Sequence, residues 1–350
     1  MTRLNKYFFP ISLVLLVIVL LTAIAFGAVS VTVPDMFSAV QHWFQGKDPA
    51  NIYEGVFLQL RLPRVLLCMI TGAALAVSGV LMQGLFRNPI VEPGLIGTSA
   101  GAAFGASVVF VMSASLSTGL QKLAGPLLVP LFAFGGGLLA TYTVYILAKG
   151  TQRMNVTTLL LIGIAVNAVG LSGTGFMSYI ARDPQARSIT FWNLGTFSGS
   201  TWMQVGITGF VVAAVCIIAT KYAKQLNTLL LGEEEANYVG VDTEKLKRKI
   251  MLYNTAMISV ATAFVGVISF MGLIVPHLMR LLIGSDHKRL LPASMIAGAI
   301  LLTIADMGAR LLLAPAEIPI GIITSLVGAP VFIILLKRTH ILNTKGGGHD

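Results

Sequence analysis

RVLLCMITGAALAVSGVLMQGLFR, residues 64–87, holds 22 consecutive uncharged positions between two arginines. A helix of about 20 residues crosses the hydrocarbon core of a bilayer, so this run is long enough to span one. Two more runs match it: 26 uncharged positions between Lys122 and Lys149, and 19 between Glu317 and Lys337. The rest of the chain follows suit. Of its 350 residues, 55% are hydrophobic and 11% are charged, with mean hydropathy +0.84. A soluble domain carries about 25% charged residues, so this chain cannot cover itself with polar surface in water. The composition implies an all-α polytopic membrane protein.

Ten spans are the most economical division: about 8–29, 65–84, 94–114, 124–148, 157–180, 203–221, 250–268, 270–284, 291–309 and 318–336. The first could be mistaken for a signal peptide. Its apolar stretch from Phe8 to Val29 exceeds the roughly 7–15 residues of a cleavable core, so it reads as a membrane helix. The eighth is short and carries Pro276 in GLIVPHLMR, which predicts a broken or partial helix.

Orientation follows from the basic residues, which favour cytoplasmic loops. With the N-terminus in the cytoplasm, the outside holds Lys47, Arg61, Arg64, Lys122, Arg182, Arg187 and Arg310, seven of the 24 Lys and Arg. The other 17 fall inside, Arg3 and Lys6 among them, with both termini cytoplasmic. The net charge of +10 is therefore an orientation signal rather than a nucleic-acid surface.

Small residues are spaced for close helix contact in SAGAAFGAS (99–107), FGGGLLA (134–140) and GLSGTGF (170–176). The segment RNPIVEPGLIG (87–97) has two prolines and two glycines at a span boundary. It reads as a wall of a pathway or as an ordinary cytoplasmic loop. The two cysteines, Cys68 and Cys216, each sit in an apolar run and read as small buried apolar residues.

Against this background, LLLGEEEANYVGVDTEKLKRK (229–249) is a polar island with nine charges between Glu233 and Lys249. By the topology, 222–249 is the longest cytoplasmic loop. Acids open GEEEANYVG and Gly240 can stop it; Asp242 or Thr243 can cap VDTEKLKRK, where acids again precede bases. The pattern predicts two short helices turning at Gly240. A charge run is commonly a solvated loop, but two matched helix signals favour a docking surface for a cytoplasmic partner.

Several long motifs, taken together, resemble the FecCD-type permeases, the transmembrane subunits of type II ABC importers for iron-siderophores, haem and cobalamin. They are LRLPRVLLCMITGAALAVSGVLMQGLFRNPIVEPGLIGTSAGA (60–102), LLLGEEEANYVGVD (229–242), FVGVISFMGLIVPHLMRLLIGSDHKRLLP (264–292) and ADMGARLLLAPAEIPIGIITSLVGAPVFIILL (305–336). The resemblance covers nearly the whole chain after the first helix. It implies a single permease domain of ten transmembrane helices, paired with a second permease subunit, in a homodimer as the expected form. It also implies two separate ABC ATPase subunits, which use ATP and Mg, and a periplasmic substrate-binding protein. No cofactor or metal is expected on this chain, and its location is the bacterial inner membrane.

Carried to this sequence, the ATPase-coupling residues are Gly232, Glu233, Glu234, Glu235, Ala236, Gly240 and Val241. Those docking the binding protein are Arg61 and Arg64 in RLPR and Arg310 in MGAR. Arginine suits bidentate pairing with a carboxylate; interfacial anchoring, or an i,i+4 pair of Arg310 with Asp306, are the alternatives. The cytoplasmic exit is expected near Thr98, Asn155 and Thr157. His277 reads as a packing residue near the break rather than a metal ligand, and His287 and Arg289 read as loop residues without a special role. Trp192 and Trp202 fit an outer interfacial segment.

Other classes fit less well. The chain has no G-x-x-x-x-G-K-[ST] loop to cradle ATP, and no H-E-x-x-H pair for an intramembrane enzyme. An ion-coupled transporter needs ionisable pairs near the midplane, and the spans hold no acid–base pair there: Asp306, Lys221 and Arg280 lie toward span ends. The expected function is an importer permease for a bulky metal chelate, haem or ferric siderophore, with cobalamin as the alternative cargo.

Overall fold

The structure, a computed structural model, describes residues 4–27, 29, 31–112, 127–149 and 156–346. Among these residues it is all helical. The helices are α1 (Leu4–Ala25), α2 (Val33–Phe44), α3 (Ile52–Gly55), α4 (Leu62–Phe86), α5 (Thr98–Met112) and α6 (Leu128–Ala148). Then come α7 (Val156–Ile180), α8 (Gln185–Asn193), α9 (Trp202–Lys221), α10 (Ala223–Leu229) and α11 (Glu233–Tyr238). The chain closes with α12 (Thr243–Val265), α13 (Met271–Ile283), α14 (His287–Leu311) and α15 (Ile320–Gly346).

A helix lies at each of the ten expected spans. Among the described residues, six helical stretches are both long and apolar enough to cross a membrane: Tyr7–Ala25, Ile52–Phe86, Leu128–Ala148, Val156–Ile180, Trp202–Lys221 and His287–Leu311. Thr98–Met112, Met271–Ile283 and Ile320–Leu335 are apolar but shorter. Length and composition thus carry six crossings, four fewer than the sequence division proposed.

The centre of the fold is α4, buried from Thr71 to Phe86 without interruption. It packs against α9, α12, α13 and α14. Its small residues make this possible. Gly72 lies against the Gly298 carbonyl of α14 and Gly79 against that of Gly272 in α13, so close that a Cβ at either would overlap backbone. Gly101 of α5 and Gly136 of α6 meet in the same way. Gly170 of α7 lies against the Ala100 backbone of α5, so all three small-residue stretches take part in close helix packing.

Irregular backbone at membrane depth must be satisfied by protein or water, and here amide side chains supply the bonds. The second half of segment 87–97 is folded into the protein, while Arg87, Pro89 and Ile90 stay exposed: Val91, Pro93, Ile96 and Gly97 are buried, and Pro93–Ile96 forms a 3-10 turn. Asn167 Nδ2 donates to the carbonyls of Gly94 and Leu95, and Asn254 Nδ2 to that of Pro93. The Glu92 carboxylate accepts from the backbone N–H of Phe270, at the start of α13. Pro276 does not break α13. Proline removes the donor to the carbonyl four residues back, which is Gly272, and Gln83 Nε2 donates to that oxygen at 3.2 Å. The expectation of a partial helix holds: 13 residues at about 1.5 Å each make roughly 20 Å, short of a full crossing.

Four helices escaped the sequence reading: α2, α3, α8 and α10. Helix α2 starts with a capping box in which Thr32 and Asp35 satisfy each other's backbone N–H. Helix α10 precedes the polar island.

Candidate functional site

The island forms a folded ledge. Helix α11 covers Glu233–Tyr238 as expected. Gly240, at φ +90°, reverses the chain in the left-handed region that glycine tolerates, and Val241 N–H closes onto the Ala236 carbonyl at 2.9 Å. Asp242 then caps the next helix, its carboxylate accepting from Lys245 N–H at 2.9 Å. The second short helix of the sequence reading is corrected here: residues 243–249 are the first turns of α12, which runs unbroken to Val265. Leu246 and Ile250, one turn apart, are both buried in the main core, so no force ends the helix at Lys249. The paired short helices are α10 and α11 instead.

Three contacts hold the ledge to the body. Leu226, Leu229 and Ala236 enter the main core. Lys247 is 1% exposed, and its ammonium pairs with Glu233 at 2.7 Å and Glu244 at 3.0 Å. Asn227 accepts from the backbone N–H of His287 at 2.9 Å, faces its ring Nδ1 at 2.7 Å, and donates to Asp286 at 2.6 Å. His287 is therefore no free loop residue, as the sequence suggested, but a fully buried joint between the ledge and α14. The Asn227 amide holds the Asp286 carboxyl below the usual carboxylate range.

What remains outside is distinctive. Leu231, Tyr238 and Val239 are 72%, 89% and 73% exposed, beside exposed Glu234, Glu235 and Asn237. Of the predicted coupling residues, Gly232 and Ala236 are buried and Glu233 is drawn inward to Lys247. Leu231, Tyr238 and Val239 are not among the predicted coupling residues, which are mostly the glycines and acids of the segment.

At the opposite end of α4, the three predicted arginines converge on a depression of about 290 Å³, also lined by Glu317, Phe197 and Ser200. Two of them terminate α1. The last carbonyls of a helix lack intrahelical donors; Arg61 Nη1 donates to those of Ile24 and Ala25 at 2.6 and 2.7 Å and Nη2 to that of Val29, while Arg310 reaches Ala23 and Phe26. Asp306, 1% exposed, lies between Arg64 at 2.9 Å and Arg310 at 3.1 Å. The i,i+4 pair of Arg310 with Asp306 is thus formed. Arg64 alone has a second, half-exposed carboxylate partner, Glu317 at 2.7 Å.

The expected exit residues lie in different surroundings. Thr98 is buried, its hydroxyl 2.8 Å from that of Thr141; Thr157 is exposed on α7; Asn155 lies outside the described residues. Trp202 is half exposed, its indole N–H donating to the Leu58 carbonyl, and Trp192 packs beside Ala102 and Ala133. His277 is half-buried in α13. Among the described residues no group of three or more His, Cys, Asp or Glu could hold a metal ion.

Comparison with known proteins decides the family. The family model for the FecCD transport family matches residues 15–338. The chain belongs to the FecCD transport family. It is 40% identical over 331 residues to the hemin transport system permease protein HmuU of Yersinia pestis, covering 93% of this chain and 94% of that one. It is 35% identical over 337 residues to the vitamin B12 import system permease protein BtuC of Klebsiella pneumoniae, covering 96% and 95%. Among solved structures it resembles a protein assigned to the metal-chelate type of ABC transporter, in an inward-facing conformation. The TM-score is 0.80 and the identity 33%, over 95% of this chain and 99% of that one. This FecCD chain is thus a multi-pass membrane permease of the transport class.

Proposed function

We propose that this FecCD chain is the permease subunit of a type II ABC importer that moves haem or a ferric siderophore from a periplasmic binding protein to the cytoplasm. The observation that carries the reading is the family match over residues 15–338, into which the ledge at 229–242 falls. Haem leads as cargo because of the 40% identity to a hemin permease. Cobalamin is the second reading, favoured by the 96% coverage in the match to a vitamin B12 permease.

In this account ten helices cross the bacterial inner membrane, both termini are cytoplasmic, and two identical chains enclose the pathway. The ledge of α10 and α11 seats on separate ATPase subunits, which bind and hydrolyse Mg-ATP. Leu231, Tyr238 and Val239 give it apolar purchase and Glu234 and Glu235 give it charge. Gly232, Ala236, Gly240 and Val241 set its shape. Its motion passes to α12 through Lys247 and to α14 through the Asn227–His287 joint. At the other end Arg61, Arg64 and Arg310 receive carboxylates of the binding protein, with Arg64 the most available. The cytoplasmic exit lies near Thr98, Asn155 and Thr157. A ligand that prefers one of two states shifts their populations, and ATP bound at the partner subunits does so here.

Proteoliposomes holding the permease, its ATPases and its loaded binding protein test the reading. ATP-dependent accumulation of haem, with no accumulation of cobalamin, is the expected result. Accumulation of cobalamin alone selects the second reading, and ATP-independent uptake contradicts both.

A further inference from the structure

Between α6 and the start of α12 runs a groove of about 790 Å³ that no part of the described chain fills, within the roughly 300–1,000 Å³ of ordinary ligand sites. Its walls are apolar, with Leu139 67% and Leu252 59% exposed beside Met251. One end is different. Arg248 and Lys249 stand there, both exposed, and Tyr142, Tyr145 and Tyr253 line the groove. Lys249 Nζ lies 5.5 Å from the Tyr222 ring centroid, and the hydroxyls of Tyr222 and Tyr253 are 3.5 Å apart. No carboxylate lines the groove.

We propose that this groove is a site for one anionic phospholipid. An acyl chain would lie against Leu139, Met251 and Leu252, and the phosphate would sit between the Arg248 guanidinium and the Lys249 ammonium. Tyrosine rings suit the boundary between the two regions, where one end is apolar and the other wet. The charge arrangement selects the head group. Two cations attract a net negative head, whereas the ammonium of a zwitterionic head finds no acid among the lining residues; Asp242, the acid near Arg248, is already paired with Lys245 at 2.8 Å. Each basic residue near an anionic lipid surface favours binding about fivefold, so the pair favours phosphatidylglycerol over phosphatidylcholine by about 25-fold.

The site follows Lys247 directly in sequence. A bound lipid would brace the base of α12 where the ledge joins it, so head-group composition would set how firmly the ledge is held. This consequence rests on the proposed cytoplasmic role of the ledge; the lipid site itself does not.

The test is native mass spectrometry of the purified permease after competition between phosphatidylglycerol and phosphatidylcholine in mixed micelles. Wild type is expected to retain phosphatidylglycerol by about 25-fold, with Arg248→Gln/Lys249→Gln losing most of that preference. The control Lys288→Gln/Arg289→Gln, at cations outside the groove, is expected to keep it. A narrower variant, Leu252→Trp, is expected to reduce retention of either lipid while leaving the cations in place. Equal retention of both lipids by wild type, or equal loss in the control pair, assigns the groove to bulk lipid and overturns the proposal. Disulfide-linked dimers through Leu252→Cys in native membranes assign it to a second copy of the chain and overturn it too. A wild-type permease that keeps the lipid preference but shows no ATP-dependent transport would tell against the proposed function and leave the site standing.

Discussion

Lys247 Nζ stands 2.7 Å from Glu233 Oε2, joining the base of α12 to the first turn of α11. The ammonium is nearly sealed from solvent while its two acids stay partly wet: side-chain exposure is 2% for Lys247, 26% for Glu233 and 42% for Glu244. The cation has therefore given up its hydration for contacts within the protein, these two carboxylates among them.

That asymmetry orders a mutant series. Glu233→Gln with Glu244→Gln takes two carboxylates from a buried ammonium, which costs about 3 kcal/mol, the low end of the 3–5 found for broken buried pairs, because water still reaches the acid side. Lys247→Met removes the charge itself and costs less. Amide hydrogen exchange over residues 243–250 checks this. The double variant is expected to exchange on the order of 100-fold faster than wild type, and Lys247→Met much less so.

Tyr238 and Val239 test partner seating apart from folding. Both are exposed, so Tyr238→Ala and Val239→Ala should leave thermal stability within about 0.5 kcal/mol. If they anchor the ATPase, each should weaken co-purification of that subunit about tenfold or more, in the manner of interface anchors. Unchanged co-purification would remove the ledge from the interface.

Arg64 is held by two unlike carboxylates. Asp306 is buried and shared with Arg310, so Asp306→Ala leaves two guanidinium groups facing each other and should cost about 3–5 kcal/mol. Glu317 is half-exposed, so Glu317→Gln should cost under about 1 kcal/mol. It frees Arg64 Nη1 for a carboxylate of the binding protein, and docking should tighten by up to about fivefold at low salt, shrinking as salt rises. A pull-down titration reads both the affinity and its salt dependence.

The Asn227–Asp286 bond carries a pH dependence. Asp286 is held below its ordinary value of 3.8, so its stabilisation is full above that pH. It is lost as pH falls through the lower, folded value. Asn227→Ala removes this. Measured between pH 5 and about 2, wild type should lose exchange protection around His287 that the variant lacks throughout.

The membrane class, the ten helical positions and α11 were legible in the chain, because uncharged runs and caps are local signals; α10, the other half of the ledge, was not. The full length of α12 was not: a charged first turn looks like a loop until Leu246 and Ile250 are seen to share a buried face. Nor was Gln83 legible, since its role depends on the carbonyl freed by Pro276, 193 residues away (276 − 83). The arginines were found by motif, but their service as caps for α1 needed the fold that brings Ala23–Phe26 beside them.

The central claim is that the ledge faces the cytosol as the seat of the ATPase. Its most direct test is a Tyr238→Cys variant exposed to a membrane-impermeant maleimide in intact cells and in permeabilised ones, with the parent chain giving the background of Cys68 and Cys216. Labelling only after permeabilisation, and protection by added ATPase subunit, is the predicted result. Labelling in intact cells would contradict it.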